Sequence, residues 1–307
     1  MYIETMVTVI IPTYNAERYL RTLLLKLSEQ TLPHRLIIID SDSSDSTKEI
    51  VIDHKVELIQ IEKASFNHGS TRNLGAKLAN SEIIVFMTQD ALPASSNTLE
   101  CLVDALSSRE DIALAYGRQL PYPNTKIFER FARMTNYPEI SVVKNKNLIP
   151  EMGIKTCSCS NSFAAYKKNA LLAVGGFPSN TVLGEDVSVA ARLILTGKSI
   201  AYAAEAEVFH SHDYTVGEEF KRYFDIGAFH REEREILSNF SKAESEGFRY
   251  VLQEWSYLRQ NDQLISIPMQ LLRTFAKYTG YKLGIWQKYI PNYLKRKISM
   301  HSSFWML

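Results

Sequence analysis

Carboxylates, imidazoles and one arginine recur along this chain at positions suited to handling a phosphorylated ligand. Asp40 and Asp42, with Asp45 close by, follow a run of isoleucines. Carboxylates there can accept hydrogen bonds from a base imide N–H or from ribose hydroxyls, and Thr13 is placed to help frame a base. A solvated turn that caps the next helix uses the same residue types. Phe66-Asn67-His68-Gly69-Ser70-Thr71-Arg72-Asn73 reads as a loop entering a helix. Gly69 permits a tight backbone, and a helix start offers free N–H groups to an anion. Arg72 carries a planar, multi-donor head suited to a base carbonyl or phosphate, with Asn73 beside it. The ordinary alternative is an arginine on a solvated helix face.

Asp90 ends a continuous apolar run. The charge of a diphosphate calls for a divalent ion, and Mg²⁺ takes one or two carboxylates plus phosphate oxygens. His210 and His212 stand two apart at the end of a strand-like run, so both imidazoles can share a face with a metal held by Asp90. A structural role is the default for either one, and one ligand from the two is expected. Cys157-Ser158-Cys159 with the same histidines permits a structural zinc instead, although Cys-x-Cys matches the usual zinc pairings poorly. Glu185 and Asp186 open a helix and are expected to point into the cleft. Acidic residues are common there for dipole reasons alone. Adjacent carboxylates in a cleft also separate their pKa values, leaving one as a base.

The elements that must position these groups alternate. Val7-Thr8-Val9-Ile10-Ile11, Leu36-Ile37-Ile38-Ile39 and Ile83-Ile84-Val85-Phe86-Met87 read as buried strands, and the alternating Glu57-Leu58-Ile59-Gln60-Ile61 as a strand nearer an edge. Leu20, Leu23, Leu24 and Leu27 recur at helical spacing. Thr71 to Leu78 reads as a helix capped near Ser70 or Thr71. Phe163 to Tyr166 reads as a strand, Glu185 to Leu195 as a helix, and a strand ends near His210. From about Val216 the pattern is helical, broken by Pro268 and Pro291. Such alternation implies an α/β fold with a mostly parallel central sheet and ligands at the strands' carboxyl ends. The polar clusters fall at those ends.

The 307 residues suit one large domain or two modest ones. The expected division is a catalytic domain over residues 1–215 and a helical C-terminal region over 216–307. A formal net charge of +1 implies no bulk affinity for nucleic acid. The charge is uneven, because residues 263–307 hold seven Lys or Arg and no Asp or Glu. That tail also carries Phe275, Tyr278, Tyr281, Trp286, Tyr289, Tyr293, Phe304 and Trp305. A basic residue near an anionic membrane surface is worth about 1 kcal/mol, and aromatic rings favour the interface. The same rings also suit a helical cap or a dimer interface, which leaves a homo-oligomer open. Three cysteines are too few for a disulfide framework. The N-terminus has no basic leader, and no apolar run approaches the roughly 18 residues of a spanning helix. A cytoplasmic protein is expected, peripheral on the inner face of the membrane if its tail docks there.

Together these residues resemble the inverting GT-A glycosyltransferase family 2. The Val-Ile-Ile-Pro-Thr-Tyr-Asn start, Ile-Ile-Asp40, Arg72-Asn73, Asp90 and Glu185-Asp186 occur in that family's order over residues 6 to about 215. The resemblance implies a GT-A, Rossmann-like nucleotide-sugar domain and a single displacement that inverts the anomeric carbon. Asp90 with His212 or His210 would hold Mg²⁺ or Mn²⁺. Asp186 would be the base, with Glu185 orienting it or the acceptor. Asp40 and Arg72 would hold the nucleotide, with Thr13, Asp42 and Asn73 nearby. The wider family places Asp-x-Asp where this chain has Thr88-Gln89-Asp90, so the first carboxylate is missing and the second remains.

Phe66 to Asn73, Thr88-Gln89-Asp90-Ala91, His210-Ser211-His212, Lys277 to Gly284 and Ser299-Met300-His301 look like the rhamnosyltransferase branch. That narrower likeness implies dTDP-L-rhamnose as donor. As acceptor it implies a polyprenyl-diphosphate-linked saccharide of a surface polysaccharide such as O-antigen. The alternatives are a family-2 enzyme using a UDP-hexose, a sugar nucleotidyltransferase, and a non-catalytic membrane-associated binding module. A nucleotidyltransferase would want a Gly-rich loop where this chain has Pro12-Thr13-Tyr14-Asn15. Retention of Asp90 and Asp186 argues against the module.

Overall fold

The computed structural model describes residues 7–240 and 244–306; the first six residues, which belong to the N-terminal reading, and Leu307 lie outside the described residues. Nine strands form one sheet: β1 Val7–Thr13, β2 Arg35–Asp40, β3 Glu57–Gln60, β4 Ile83–Met87, β5 Leu92–Pro93, β6 Ile112–Leu120, β7 Val142–Lys144, β8 Phe163–Lys167 and β9 Ser199–Phe209. Through the first 195 residues run helices α1 Glu17–Ser28, α2 Thr47–Asp53, α3 His68–Leu78, α4 Thr98–Ser107, α5 Ile127–Asn136, α6 Ile149–Met152, α7 Lys168–Ala173 and α8 Glu185–Leu195. Helices α9 Val216–Glu232, α10 Arg234–Leu237, α11 Glu244–Gln260, α12 Ile267–Ile285 and α13 Asn292–Ile298 follow the last strand.

The β-branched run of β1 is buried on both faces, as a strand covered by two helical layers must be. Val9 and Ile11 turn one way, with Val85 and Met87 of β4, and meet Leu20, Leu23, Leu24 and Leu27 of α1. Ile10 turns the other way, with Ile37, Ile39, Ile84 and Phe86, into the layer that holds Val189, Ala190, Ala191 and Ile194 of α8. The period-2 alternation of the strands thus feeds two apolar layers. The alternating β3 lies at the edge of the sheet, as its pattern predicts.

Strand order is β3-β2-β1-β4-β8-β6-β9-β5, with β7 beside β9. The first four strands are mutually parallel. β8 runs antiparallel to both β4 and β6, and β9 runs parallel to β6. Six strands therefore point the same way and deliver their carboxyl ends to one edge. Asp40, Asp90 and His210 arrive on that edge. The nine-residue β6, unmarked by any motif in the sequence, occupies the middle of the sheet's second half.

The start of α3 differs from expectation. Its N-cap is Asn67, not Ser70 or Thr71, and the Asn67 side chain accepts the N–H groups of Gly69 and Ser70. After β9 the chain enters α9 through a capping box between Thr215 and Glu218. Gly280 and Gly284 let α12 lie directly on the backbone of α9, at Phe220 and Phe224, where any Cβ would collide. The last turn, Ser302–Met306, folds back so that Trp305 is buried with Phe224, Val182 and Ala228. No described helix is long and apolar enough to cross a membrane.

Candidate active site

Asp90, His210 and His212 converge where β4 and β9 end. His210 Nε2 lies 3.4 Å from Asp90 Oδ1, and His212 Nε2 lies 3.3 Å from Asp90 Oδ2. The two Nε2 atoms are 3.2 Å apart. Ligand atoms about 2.1 Å from one divalent ion, at tetrahedral or octahedral angles, stand roughly 3.0–3.4 Å from each other. The spacing therefore fits a single ion, and both histidines join Asp90 where one was expected. His210 Nδ1 meets Gln119 Oε1 at 2.9 Å, and that oxygen also accepts from Arg133 Nη1 at 2.5 Å. Arginine only donates, so the amide presents its oxygen and His210 must carry its proton on Nδ1. Nε2 is left facing Asp90, where it can donate to the carboxylate or, as a lone pair, bind an ion.

Burial alone would raise the Asp90 pKa, but the hydrogen bond and charge of His210, then the charge of His212, hold it well below the usual carboxylate range. Burial, helped by the neighbouring His210 and opposed by Asp90, lowers His212 to about 4. At neutral pH Asp90 is a carboxylate and His212 a neutral imidazole, the forms in which both ligate metals. Among the described residues this is the one His/Cys/Asp/Glu group spaced to hold an ion. The zinc alternative fails. Cys157 is buried, donates its thiol to the Ile154 carbonyl and takes no part in that group.

The second carboxylate cluster is joined to the first through the turn that leads into β8. The Thr88 N–H donates to the Ser162 carbonyl at 3.2 Å, and the Asn161 N–H donates to Asp186 Oδ2 at 3.0 Å. Asp186 Oδ1 accepts the Val187 N–H at 2.8 Å, so the carboxyl is fixed at the head of α8. Burial, then the charge of Glu185, raises Asp186 to about 6. A carboxylate poised near 6 is a competent proton acceptor close to neutrality. Glu185 is lowered instead. Burial opposes the shift, and the charge of Arg72, followed by His68 and an Asn161 hydrogen bond, outweighs it. The two neighbours are thus driven apart in pKa. Gly184, at φ 77°, makes the left-handed turn into α8, and its missing Cβ leaves room for the ring of Phe229.

On the β1–β2 side the residues divide. Asp40 is fully buried and takes the Thr13 hydroxyl at 3.1 Å, with the Ser43 N–H at 2.9 Å and Ser43 hydroxyl at 2.5 Å. Asp42 is exposed, in left-handed backbone at φ 61°. Arg72, expected to face a nucleotide, is buried and paired with Glu185 at 3.0 Å. Asn73 clamps the backbone of Phe177, donating at 2.8 Å and accepting at 2.9 Å. Thr88 stands where the wider family has its first carboxylate, and Gln89 after it brackets the Tyr14 backbone through its amide.

Several participants carry no sequence signal. Gln119, Arg133 and Glu129 form the shell behind the histidines, with Arg133 Nη2 held at 2.6 Å by Glu129. Asn161 touches Asp186 and Glu185 and accepts the Tyr166 hydroxyl at 2.7 Å. A polar residue just before a strand was the only cue available for Asn161.

The family model described as glycosyl transferase family 2 matches residues 8–175. An O-antigen chain rhamnosyltransferase, RfbN of Salmonella typhimurium, is 44% identical over 302 residues, covering 97% of this chain and 96% of its own. WbaN of Salmonella anatum, of the same description, is 43% identical over 301 residues, covering 97% and 95%. Among solved structures, the mannosyltransferase PcManGT of Pyrobaculum calidifontis, in complex with GDP-Man and Mn²⁺, aligns with a TM-score of 0.59 at 17% identity, covering 98% of this chain and 85% of that one. That likeness carries the fold, a GT-A sheet with helices on both faces. The matched model spans more than half of the chain and the Salmonella alignments nearly all of it, so this protein is a glycosyltransferase and belongs to glycosyl transferase family 2.

Proposed function

We propose that this enzyme transfers L-rhamnose from dTDP-L-rhamnose to a hydroxyl of a polyprenyl-diphosphate-linked saccharide, with inversion at the anomeric carbon. The observation that carries the chemistry is the joining of a three-ligand metal group to a raised-pKa carboxylate through Thr88–Ser162 and Asn161. The choice of rhamnose rests on the two Salmonella relatives, whose descriptions name that sugar. The catalytic domain takes in residues 1–215, and 216–307 form the helical region that braces it.

Asp90, His210 and His212 would hold Mg²⁺ or Mn²⁺, which when bound offsets charge developing on a leaving diphosphate. Asp42, with Thr13 and Asp40 behind it, lines the nucleotide end. Arg72 and Asn73 act there at one remove, by fixing α3. The acceptor oxygen attacks the anomeric carbon as Asp186 takes its proton, and the bond to the nucleoside diphosphate breaks in the same step. Glu185, tied to Arg72, keeps Asp186 from sharing its proton. Incubation with dTDP-L-rhamnose and Mn²⁺, water serving as acceptor, tests the reading. Release of dTDP together with rhamnose of the opposite anomer supports it; pyrophosphate as product, or release from UDP-glucose alone, overturns it.

The C-terminal region serves as a peripheral anchor at the inner face of the cell membrane. Phe275, Tyr278, Trp286, Tyr289 and Tyr293 are exposed, with Lys288, Arg296 and Lys297 in the same region. Tyr281, Phe304 and Trp305 are not available for that contact. Tyr281 meets His230 at 3.0 Å, and the other two pack inward. Arg273 and Lys277 are likewise spent on Glu219, at 2.9 and 3.2 Å.

A further inference from the structure

The turn Ser299-Met300-His301 plays no part in the chemistry above, yet it ends against the catalytic wall. Its backbone is held at several points. The Met300 N–H donates to Asp225 Oδ2 at 2.8 Å, the His301 N–H donates to the Ser299 hydroxyl at 2.9 Å, and the Ser299 N–H donates to the Lys295 carbonyl at 2.9 Å. Asp225 lies on α9 with no exposed surface, and Ser299 is buried as well. The ring of His301 meets the ring of His68 edge-on, with centroids 5.2 Å apart at 90°. Phe66 meets His68 in the same manner at 5.0 Å and 75°. His68 in turn faces Arg72, whose Nη1 stands 3.4 Å from His68 Nδ1 and 3.2 Å from the His68 carbonyl. Arg72 is the partner of Glu185, the neighbour of Asp186. A second contact from the same segment points to the same place. Trp305 packs in a cluster with Val182 and Leu183, which lead into Gly184 and α8.

We propose that His301 is a positioning residue for sugar transfer: latched to α9 by Asp225, its ring joins Phe66 in enclosing His68, which keeps Arg72 on Glu185 and so fixes Asp186. The inference rests on Asp186 being the base of the proposed reaction. It gives the turn at residues 299–301 a positioning duty separate from membrane contact. Burial, against the field of Glu185 and with that of Arg72, lowers His68 to about 4, which leaves its Nδ1 lone pair free to face the guanidinium.

The test compares His301→Ala, His301→Phe and Asp225→Ala in dTDP release from dTDP-L-rhamnose with Mn²⁺, alongside thermal melting. A displaced second sphere costs turnover more than ground-state binding, so His301→Ala should lower kcat about ten-fold or more and leave the donor KM within about two-fold. Melting should be unchanged. Asp225→Ala should repeat the pattern, and His301→Phe, which keeps a ring on His68, should restore most of the turnover. Full activity in His301→Ala, a change in KM alone, or equal losses in the Ala and Phe variants would overturn the inference. Histidine NMR separates this outcome from failure of the transfer reaction itself. His301→Ala should move the His68 midpoint up from about 4 toward its ordinary value as the enclosure opens. An unmoved midpoint contradicts the contact whether or not the enzyme turns over dTDP-L-rhamnose.

Discussion

Arg72 and Glu185 form an ion pair at 3.0 Å with side chains only 5% and 8% exposed. The pair binds the head of α8 to α3 and sets the electrostatics felt by Asp186. A buried pair is worth little against apolar replacement of both partners, but removing one strands a charge, at a cost of about 3–5 kcal/mol. Arg72→Met should therefore lower stability by about that amount in denaturant titration. Arg72→Met with Glu185→Leu should recover most of it while remaining inactive. Equal destabilisation in the single and double variants would contradict the pairing.

Asp186 is raised to about 6, first by burial and then by Glu185. As a base it must be ionised, so kcat should fall on the acid side with a midpoint near pH 6 and level off above it. Asp186→Asn should lose about two orders of magnitude or more in kcat, the usual reach of general-base assistance. Its affinity for dTDP, read by calorimetry, should stay close to wild type. A flat kcat between pH 5 and 8 removes Asp186 from the role.

Gln119 fixes the His210 tautomer through the 2.9 Å contact with Nδ1. Outer-shell partners of this type typically change metal affinity 10–100-fold, so Gln119→Leu should weaken Mn²⁺ binding by about that factor with little change in fold. Asp90→Ala should abolish it. Mn²⁺ titration followed by electron paramagnetic resonance reads both.

The exposed rings and cations of the C-terminal region predict binding to anionic vesicles that weakens with salt. Lys288→Glu with Arg296→Glu and Lys297→Glu should lose sedimentation with phosphatidylglycerol vesicles and keep dTDP release from soluble donor. Binding as strong as wild type in that variant argues against docking through this face.

Much of the candidate site was legible because its carboxylates and imidazoles end apolar strands or begin a helix. Asp40 closes β2, Asp90 follows β4, Glu185 and Asp186 open α8, and His210 follows β9. The partners of these groups were not legible. Arg72 reads as a free cation in sequence, and only the fold supplies Glu185. Gln119 and Arg133 sit on β6 and α5, which carry no motif, and they reach His210 because β6 and β9 pair in parallel. His301 lies at the far end of the chain from His68. In the tail, ring and charge content predicted a surface, but the fold-back of residues 302–306 turned Phe304 and Trp305 inward.

The most direct test of the account is the rate of dTDP release from dTDP-L-rhamnose by the wild-type enzyme with Mn²⁺, with excess chelator, and with Asp186→Asn or His210→Ala in its place. Release is expected in the first case and near-complete loss in the other three, with dTDP still bound by Asp186→Asn. Undiminished release under chelation, or from either variant, would mean that the metal group and the carboxylate do not serve one bound donor.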